Sequence, residues 1–333
     1  MHNTIRSLYK LFYEDKSFLH FQKKLAEKMY TALAEGYRHN DNEVALVTRL
    51  VNAINAINNE SYNNSIKLFC NKIHGSRSSV TFNFRGKPTT TELADMVLIS
   101  IVAKEGKRIL QRVTFVQNKV FKNTSCSIDQ EQLFLLKNFP ILSGNIGLFS
   151  GMSDIVFRNT SGVLGSYGLF EEPGEMIFLS APLLIELSKG KKSVSKNDLC
   201  ATENMYKSMR TSSFLPFCGC LDPQECFYMF EKYIRRIGFP IHVNPNPLFE
   251  NTQFARDLYD LAINWTRIGI GEFTFLFDRI VNEPLHTFIN GLLKKFVPEI
   301  GKLIDIQPND NMSDDYPESE VAIMVYVIDA TEL

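Results

Sequence analysis

The sequence lacks the features that mark several common classes of protein. Its 333 residues include six cysteines but no Cys-x-x-Cys pair, so the thiols are expected to stay unpaired in a reducing compartment. The longest apolar run, at 96–103, is far shorter than the roughly 18 residues that a transmembrane helix needs. Charges interrupt the apolar positions of the first 16 residues, which is untypical of a signal peptide. We therefore expect a soluble cytoplasmic protein with no membrane partner.

Motifs of familiar nucleotide and catalytic sites are also missing. There is no Gly-Lys-Ser/Thr phosphate loop, and the segment at 269–273 lacks the third glycine of a dinucleotide loop. The segment at 164–168 does not have the spacing of a nucleophile elbow. ATP, NAD and serine-hydrolase chemistry are thus not indicated. A zinc site would have to draw on residues whose spacing matches no familiar knuckle, namely Cys218, Cys220, Cys226 and His242.

Charge is unevenly distributed, although the net charge is only −1. Residues 70–122 carry ten basic side chains against three acidic ones, whereas residues 305–333 carry eight acids and no Lys or Arg. A locally basic segment is typical of proteins that bind a phosphate backbone. The candidates for nucleic-acid contacts in or beside this segment are Arg77, Arg85, Lys87 and Lys122.

Apolar periodicity predicts an α/β protein. Helical spacing at 5–36, with Gly36 as its end, and at 40–59, with Asp41 or Asn42 as a cap, precedes a run of strand-like segments. The predicted strands are 65–73, 79–85, 92–102, 108–121, 174–180 and 321–328, and the later predicted helices are 128–139, 226–238, 251–269 and 284–296. We expect three parts: a helical extension over 1–40, a core over 41–190, and a mainly helical region over 191–333 that includes an acidic tail and has no assigned role.

Two neighbouring strand-like segments carry the residues that suggest chemistry, "TELADMVLIS" at 91–100 and "LQRVTFVQNK" at 110–119. Asp95 opens the first strand, and Gln117 and Lys119 leave the same face of the second because they are two residues apart. Ionisable groups beside a core cost several kcal/mol unless a partner or a metal compensates. If the strands pair, we expect Asp95, Gln117 and Lys119 to converge at one edge.

This set of groups suits metal-assisted hydrolysis of a phosphodiester. A hard cation, Mg²⁺ or Mn²⁺, would take oxygen ligands from Asp95 and from the amide of Gln117, with water and phosphate in the remaining positions. Such a cation lowers the pKa of bound water, and Lys119 would orient the attacking water or stabilise the developing negative charge. The alternative interpretation is that Asp95 and Lys119 are ordinary surface residues at strand ends. In the same interpretation Glu43, in the first turn of a predicted helix, only interacts favourably with the helix dipole.

A helix with a Glu, then "ELAD" and then "VQNK" on successive strands together resemble the PD-(D/E)XK nuclease superfamily. The likeness is to its Gln-x-Lys branches, such as archaeal Holliday-junction resolvases and Mrr-type restriction enzymes, and it covers roughly residues 41–160. It implies a restriction-endonuclease-like core, an α-β-β-β-α-β mixed sheet flanked by helices. By position, the resemblance makes Asp95 the first metal ligand, Gln117 a variant second ligand, Lys119 the catalytic lysine and Glu43 an acid that some members place on the first helix.

Several points stay open at this stage. Glu92 contributes to the site only if the turn before Asp95 is irregular. Gln130 or Gln132, on the following helix, orients site residues or touches backbone phosphate, and packing with surface polarity explains that helix equally well. The basic loop at 188–196 either touches nucleic acid or is solvated. Because an amide is a weaker ligand than a carboxylate, the number of metal ions is open too.

The function expected from these residues is a metal-dependent endonuclease, acting on DNA in preference to RNA, in restriction or another antiviral defence. A homodimer or a partner protein of a defence system is the expected assembly. The alternative is a non-catalytic, nuclease-derived subunit that binds nucleic acid or a protein partner, and a ribonuclease is a further reading.

Overall fold

The computed structural model describes residues 2–58, 65–72, 79–121, 124–146, 152–158, 162–188, 190–199, 253–277, 279–304 and 321–331. The protein is an α/β structure in which helices cover both faces of a mixed β-sheet. The α-helices are α1 His2–Tyr13, α2 Lys16–Arg38, α3 Glu43–Asn58, α4 Gln130–Asn138, α5 Ala181–Ser188, α6 Leu258–Thr266 and α7 Glu283–Phe296. None of these helices combines the length and the apolar character needed to cross a bilayer.

Fourteen strands are present in the described ranges. They are β1 Ile66–Lys72, β2 Ser79–Phe84, β3 Lys87–Glu92, β4 Met96–Lys104, β5 Lys107–Val120, β6 Ser125–Ser127, β7 Ser143–Ile146, β8 Gly165–Glu171, β9 Glu175–Ser180, β10 Ser193–Ser195, β11 Phe254–Ala255, β12 Glu272–Leu276, β13 Arg279–Ile280 and β14 Ala322–Asp329. The main sheet has the order β1-β14-β4-β5-β8-β9-β11, and β12 pairs with both β5 and β13. Two smaller sheets have the orders β3-β2-β7 and β10-β6.

The centre of the main sheet contains strands that are far apart in the sequence. β14 lies between β1 and β4, antiparallel to the first and parallel to the second. β5 is antiparallel to β4 and parallel to β8. The described parts of both halves of the chain therefore build one sheet, and residues 253–331 contribute four strands besides two α-helices.

Buried strands with apolar residues on both faces explain why the sheet is covered on both sides. Alternate side chains of β4 enter separate cores: Val97 and Ile99 pack on the side of α4, α5 and α7, and Met96 and Leu98 on the side of α1, α2, α3 and α6. Each fully buried aliphatic side chain stabilises the fold by about 1.5–3 kcal/mol.

The N-terminal helices differ from the prediction in one respect. The segment expected to form one helix over 5–36 forms two, because the Asp15 side chain caps a new helix by accepting from the backbone N–H of Ser17 and Phe18. Gly36 lies inside α2, so its prediction as a helix end was wrong. A Cβ atom at Gly36 would lie 2.5 Å from Leu46 Cδ2; the glycine instead allows α2 and α3 to approach closely.

Asn42, one of the two predicted candidates, caps α3. Its Oδ1 accepts a hydrogen bond from the Ala45 N–H at 2.9 Å. The segment predicted as a helix over 251–269 begins with the short strand β11, and α6 follows it. Some predictions fall outside the described residues: the helix at 226–238, Cys218, Cys220, Cys226, His242, Arg77 and Lys122.

Candidate active site

Asp95 and Gln117 meet on one face of the sheet. Met96 of β4 pairs with Val116 of β5, so the residue before Met96 faces the residue after Val116. Gln117 Nε2 donates to Asp95 Oδ2 at 2.6 Å, and the Asn118 N–H donates to the same oxygen at 2.6 Å. The predicted convergence of these two side chains is therefore present in the structure.

A β-bulge sets this register. The turn at Glu105 and Gly106 joins β4 to β5, with Lys104 opposite Lys107. A shift between Val102 and Ala103 then moves the pairing by one residue. Without the bulge Asp95 would lie opposite Val116, and the side chains of Asp95 and Gln117 would lie on opposite faces of the sheet.

Lys119 and Glu43 complete the group at the C-terminal end of β5. Lys119 Nζ lies 3.5 Å from Glu43 Oε2, and the Val120 N–H donates to Glu43 Oε1 at 3.2 Å. Glu43 is the first residue of α3, which packs on the opposite face of the sheet from α4. The carboxylate thus reaches the strand end from the other layer and holds the lysine there.

Gln132 is the site residue that the sequence left undecided. Its side chain is 5% exposed, and its Nε2 donates to Gln117 Oε1 and, at 3.3 Å, to the Glu92 carbonyl. The sequence does contain a sign of this role, since Gln132 lies beside Leu133 on the buried face of α4. Burying an amide without hydrogen-bond partners costs free energy, so a glutamine at such a position indicates a polar partner. α4 therefore fixes both the Gln117 amide and the end of β3.

Burial dominates the electrostatics of the site. It raises the pKa of Asp95 to about 7, against the opposing effects of the Asn118 N–H and the Lys119 charge, while Glu92 and Glu43 raise the same pKa further. β3 ends at Glu92, and Asp95 comes after two residues outside any strand. The turn is therefore irregular, and Glu92 remains a candidate for the site.

The donor groups fit a hard divalent cation. Both hydrogen bonds to Asp95 end on Oδ2, so Oδ1 is available to a ligand among the residues described. The oxygen of Gln117 faces Gln132 and its nitrogen faces Asp95, and a half-turn of the amide would exchange them. The described ranges contain no group of three or more His, Cys, Asp or Glu side chains arranged for a metal. A cation held by Asp95 and Gln117 would therefore take its other ligands from water and phosphate, as Mg²⁺ commonly does.

The basic segment of the sequence divides in space. Arg108 and Arg112 are buried, at 8% and 6% exposed, and donate respectively to Asn290 Oδ1 and to backbone carbonyl oxygens. Lys104 and Lys107 flank the turn at the far end of β4 and β5. These four cations cannot contact a substrate at Asp95, whereas Arg85 and Lys87 are exposed on the β2–β3 turn.

Comparison with known proteins gives no further identification. No protein-family model matches the chain, and neither does any curated protein or solved structure.

Proposed function

We propose that the protein is a metal-dependent endonuclease that hydrolyses phosphodiester bonds, with DNA as the preferred substrate. The observation that carries the proposal is a set of two contacting pairs near the end of β5, Asp95 with Gln117 and Lys119 with Glu43. An acid, an amide and an amine on adjoining strands suit the stabilisation of a phosphoryl group next to a cation.

The order of the main elements supports a restriction-endonuclease-like core. Apart from small strands that lie in other sheets, α3, β1, β4, β5, α4 and β8 follow the sequence helix, three strands, helix, strand. β8 is parallel to β5, as a strand that returns after a crossover helix should be. The insertion of β14 between β1 and β4 is an elaboration of that plan.

Each side chain has a distinct role in the proposed reaction. A cation bound here supplies a water of lowered pKa and polarises the phosphoryl oxygen. Asp95 would hold that cation through Oδ1, and Gln117 would hold it through its amide oxygen. Lys119 places a positive charge on the non-bridging oxygens of the phosphate. Glu43 fixes Lys119 by the 3.5 Å ion pair.

A non-catalytic binding subunit is the second candidate, and one observation favours it. Gln117 donates to Asp95 and accepts from Gln132, so the amides satisfy one another with no cation in the arrangement. A role in restriction or antiviral defence, and assembly as a homodimer or with a partner, stay predictions based on the resemblance.

Incubation with supercoiled plasmid DNA tests the proposal. We expect Mg²⁺ or Mn²⁺ to support conversion to nicked and linear forms, and EDTA to stop it, because the ionised Asp95 needs the cation to bring phosphate into the site. Single-stranded RNA in a parallel reaction distinguishes a ribonuclease. Absence of cleavage of both substrates with either metal would contradict the catalytic proposal and favour the binding subunit.

A further inference from the structure

The β2–β3 hairpin extends from the candidate active site. Its last residue, Glu92, comes three residues before Asp95, and the Glu92 carbonyl accepts a hydrogen bond from Gln132. The hairpin strands have six residues each and meet at a turn formed by Arg85 and Gly86. At about 3.3 Å per residue, each strand of the hairpin is on the order of 20 Å long.

One face of the hairpin is anchored on the helix that also organises the site. Val80 and Phe82 are buried, and the rings of Phe82 and Phe84 lie 6.1 Å and 5.2 Å from the ring of Phe134 on α4. α4 also carries Gln132, which contacts Gln117. The hairpin is therefore held in a fixed position relative to the site.

The other face is suited to a polyanion. Asn83, Pro88 and Thr90 are exposed there, and Thr81 pairs with Thr90 through their hydroxyls at 2.8 Å. Between the tip and Glu92 at the base, this face carries hydroxyl and amide groups and no carboxylate. Such groups donate readily to phosphate and sugar oxygens.

The tip presents two cations at a conformational cost. Arg85 and Gly86 both have positive φ, 51° and 80°, the pattern of a type I′ turn, whose first position favours Asn, Asp or Gly. An arginine in this region is conformationally strained. Its guanidinium lies 5.0 Å from the centre of the Phe84 ring, which orients the charge at the tip.

The tip cations have no carboxylate partner among the described residues, a property they share with other exposed cations such as Lys10 and Lys16. Within the described ranges neither Arg85 nor Lys87 forms an ion pair, whereas Arg49 pairs with Asp41 and Glu35 and Lys196 pairs with Glu171. Lys87 pairs with Phe84 across the hairpin and leaves the same face as that ring, over which the Arg85 guanidinium also lies. Both charges therefore lie together at the tip, on the side of the face that packs on α4, and two such charges are complementary to a phosphate backbone.

We propose that the β2–β3 hairpin is a binding arm that holds the backbone of duplex substrate to one side of the bond that is cut. Beyond Thr81, where the pairing of β2 with β7 ends, the outer part of the hairpin is a two-stranded ribbon, whose dimensions the major groove admits. This inference rests on the proposed function for its substrate, and Arg85 and Lys87 each neutralise one phosphate in it.

Salt-dependent binding of a 24-bp duplex, followed by fluorescence anisotropy, tests the arm. The protein carries Lys119→Ala to prevent cleavage, with and without Arg85→Asn and Lys87→Gln; asparagine suits the first position of the turn, so the hairpin is kept. We expect the double change to weaken binding at least about 10-fold near 0.1 M salt and to reduce the slope of log K against log salt by about 2.

A matched control removes two exposed cations from the opposite layer, with Lys10→Gln and Lys16→Gln on α1 and α2. This control should leave affinity and slope unchanged. An unchanged slope in the hairpin variant would overturn the proposal of a binding arm. The tip charges would then serve to protect the edge strand β3 against aggregation. Plasmid cleavage by the wild-type protein would still support the proposed function. Wild-type protein that binds but does not cleave, with the slope reduced in the hairpin variant, supports the arm and contradicts the catalytic proposal. Protein that neither binds nor cleaves contradicts both.

Discussion

Replacing Lys119 by alanine is expected to lower the rate of DNA cleavage by about 100- to 1000-fold, the range for losing one charge-stabilising group at a reaction centre. The Lys119 side chain is 21% exposed, and its ammonium pairs at 3.5 Å with Glu43, whose side chain is 38% exposed. Such pairs contribute only about 0–1 kcal/mol to stability, so the variant should stay folded. Plasmid nicking rates in Mg²⁺, together with thermal denaturation, measure the two effects separately.

Lys104→Ala is the matched control for this experiment. Lys104 is the last residue of β4, at the opposite end of this strand from Asp95 and at the opposite end of the β4–β5 pair from Lys119. Its loss removes the same charge from the same sheet and should change the cleavage rate less than about 2-fold. Wild-type rates in the Lys119 variant, or equal losses in both, would refute a specific role for Lys119.

Asp95→Asn is expected to stabilise the metal-free protein at pH 8 by about 4 kcal/mol. The folded pKa of Asp95 is raised to about 7, well above the value of about 3.9 for an unfolded chain. The folded protein therefore holds a proton that the unfolded chain releases, so the free energy of unfolding falls as pH rises from about 4 to about 7 and is level above it. Asparagine keeps the shape of the side chain and removes that loss.

Urea denaturation in EDTA between pH 4 and 8 measures this difference. The two proteins should be closest in stability near pH 4 and furthest apart above pH 7, and other titrating groups cancel in the comparison. A constant difference across this range, or a variant that is less stable at pH 8, would show that Asp95 is not a strained carboxylate in the folded protein.

The local pattern of the sequence is enough to predict the two central strands and their shared face. Asp95 directly precedes one continuous apolar run, and Gln117 and Lys119 alternate with residues of a second one. The apolar runs predict strands, and the alternation of side chains along a strand predicts which of them share a face. That Asp95 faces Gln117 depends on the bulge between Val102 and Ala103, which one sequence does not reveal, because a bulge arises from packing rather than from propensity.

Other elements were missed for identifiable reasons. β8 contains two glycines, which weaken a strand pattern, and both are required by packing: a Cβ at Gly165 would lie 2.0 Å from the Leu136 carbonyl oxygen, and one at Gly168 would lie 2.4 Å from Asn118 Oδ1. β3 contains Pro88, which is tolerated because β3 is an edge strand. The insertion of β14 beside β4 joins segments more than 200 residues apart, a pairing that no local signal encodes.

Charge was the least reliable guide of all. The ten basic residues of 70–122 suggested a single binding surface, yet Arg108 and Arg112 are buried in separate parts of the fold. The middle of β5 is covered on both faces, so Arg112 points into a core, whereas Lys107 and Lys119 near the strand ends do not. A count of charges along the sequence therefore overstates the charge that a substrate would meet.

The most direct measurement is the location of a bound cation in crystals soaked with Mn²⁺, from its anomalous scattering. The account predicts a peak about 2.1 Å from Asp95 Oδ1, with the Gln117 amide turned so that its oxygen faces the ion and the Lys119 ammonium beside it. Saturating Mn²⁺ with no peak at Asp95, and with Gln117 still donating to the carboxylate, would contradict the proposal that these residues form a metal-dependent active site.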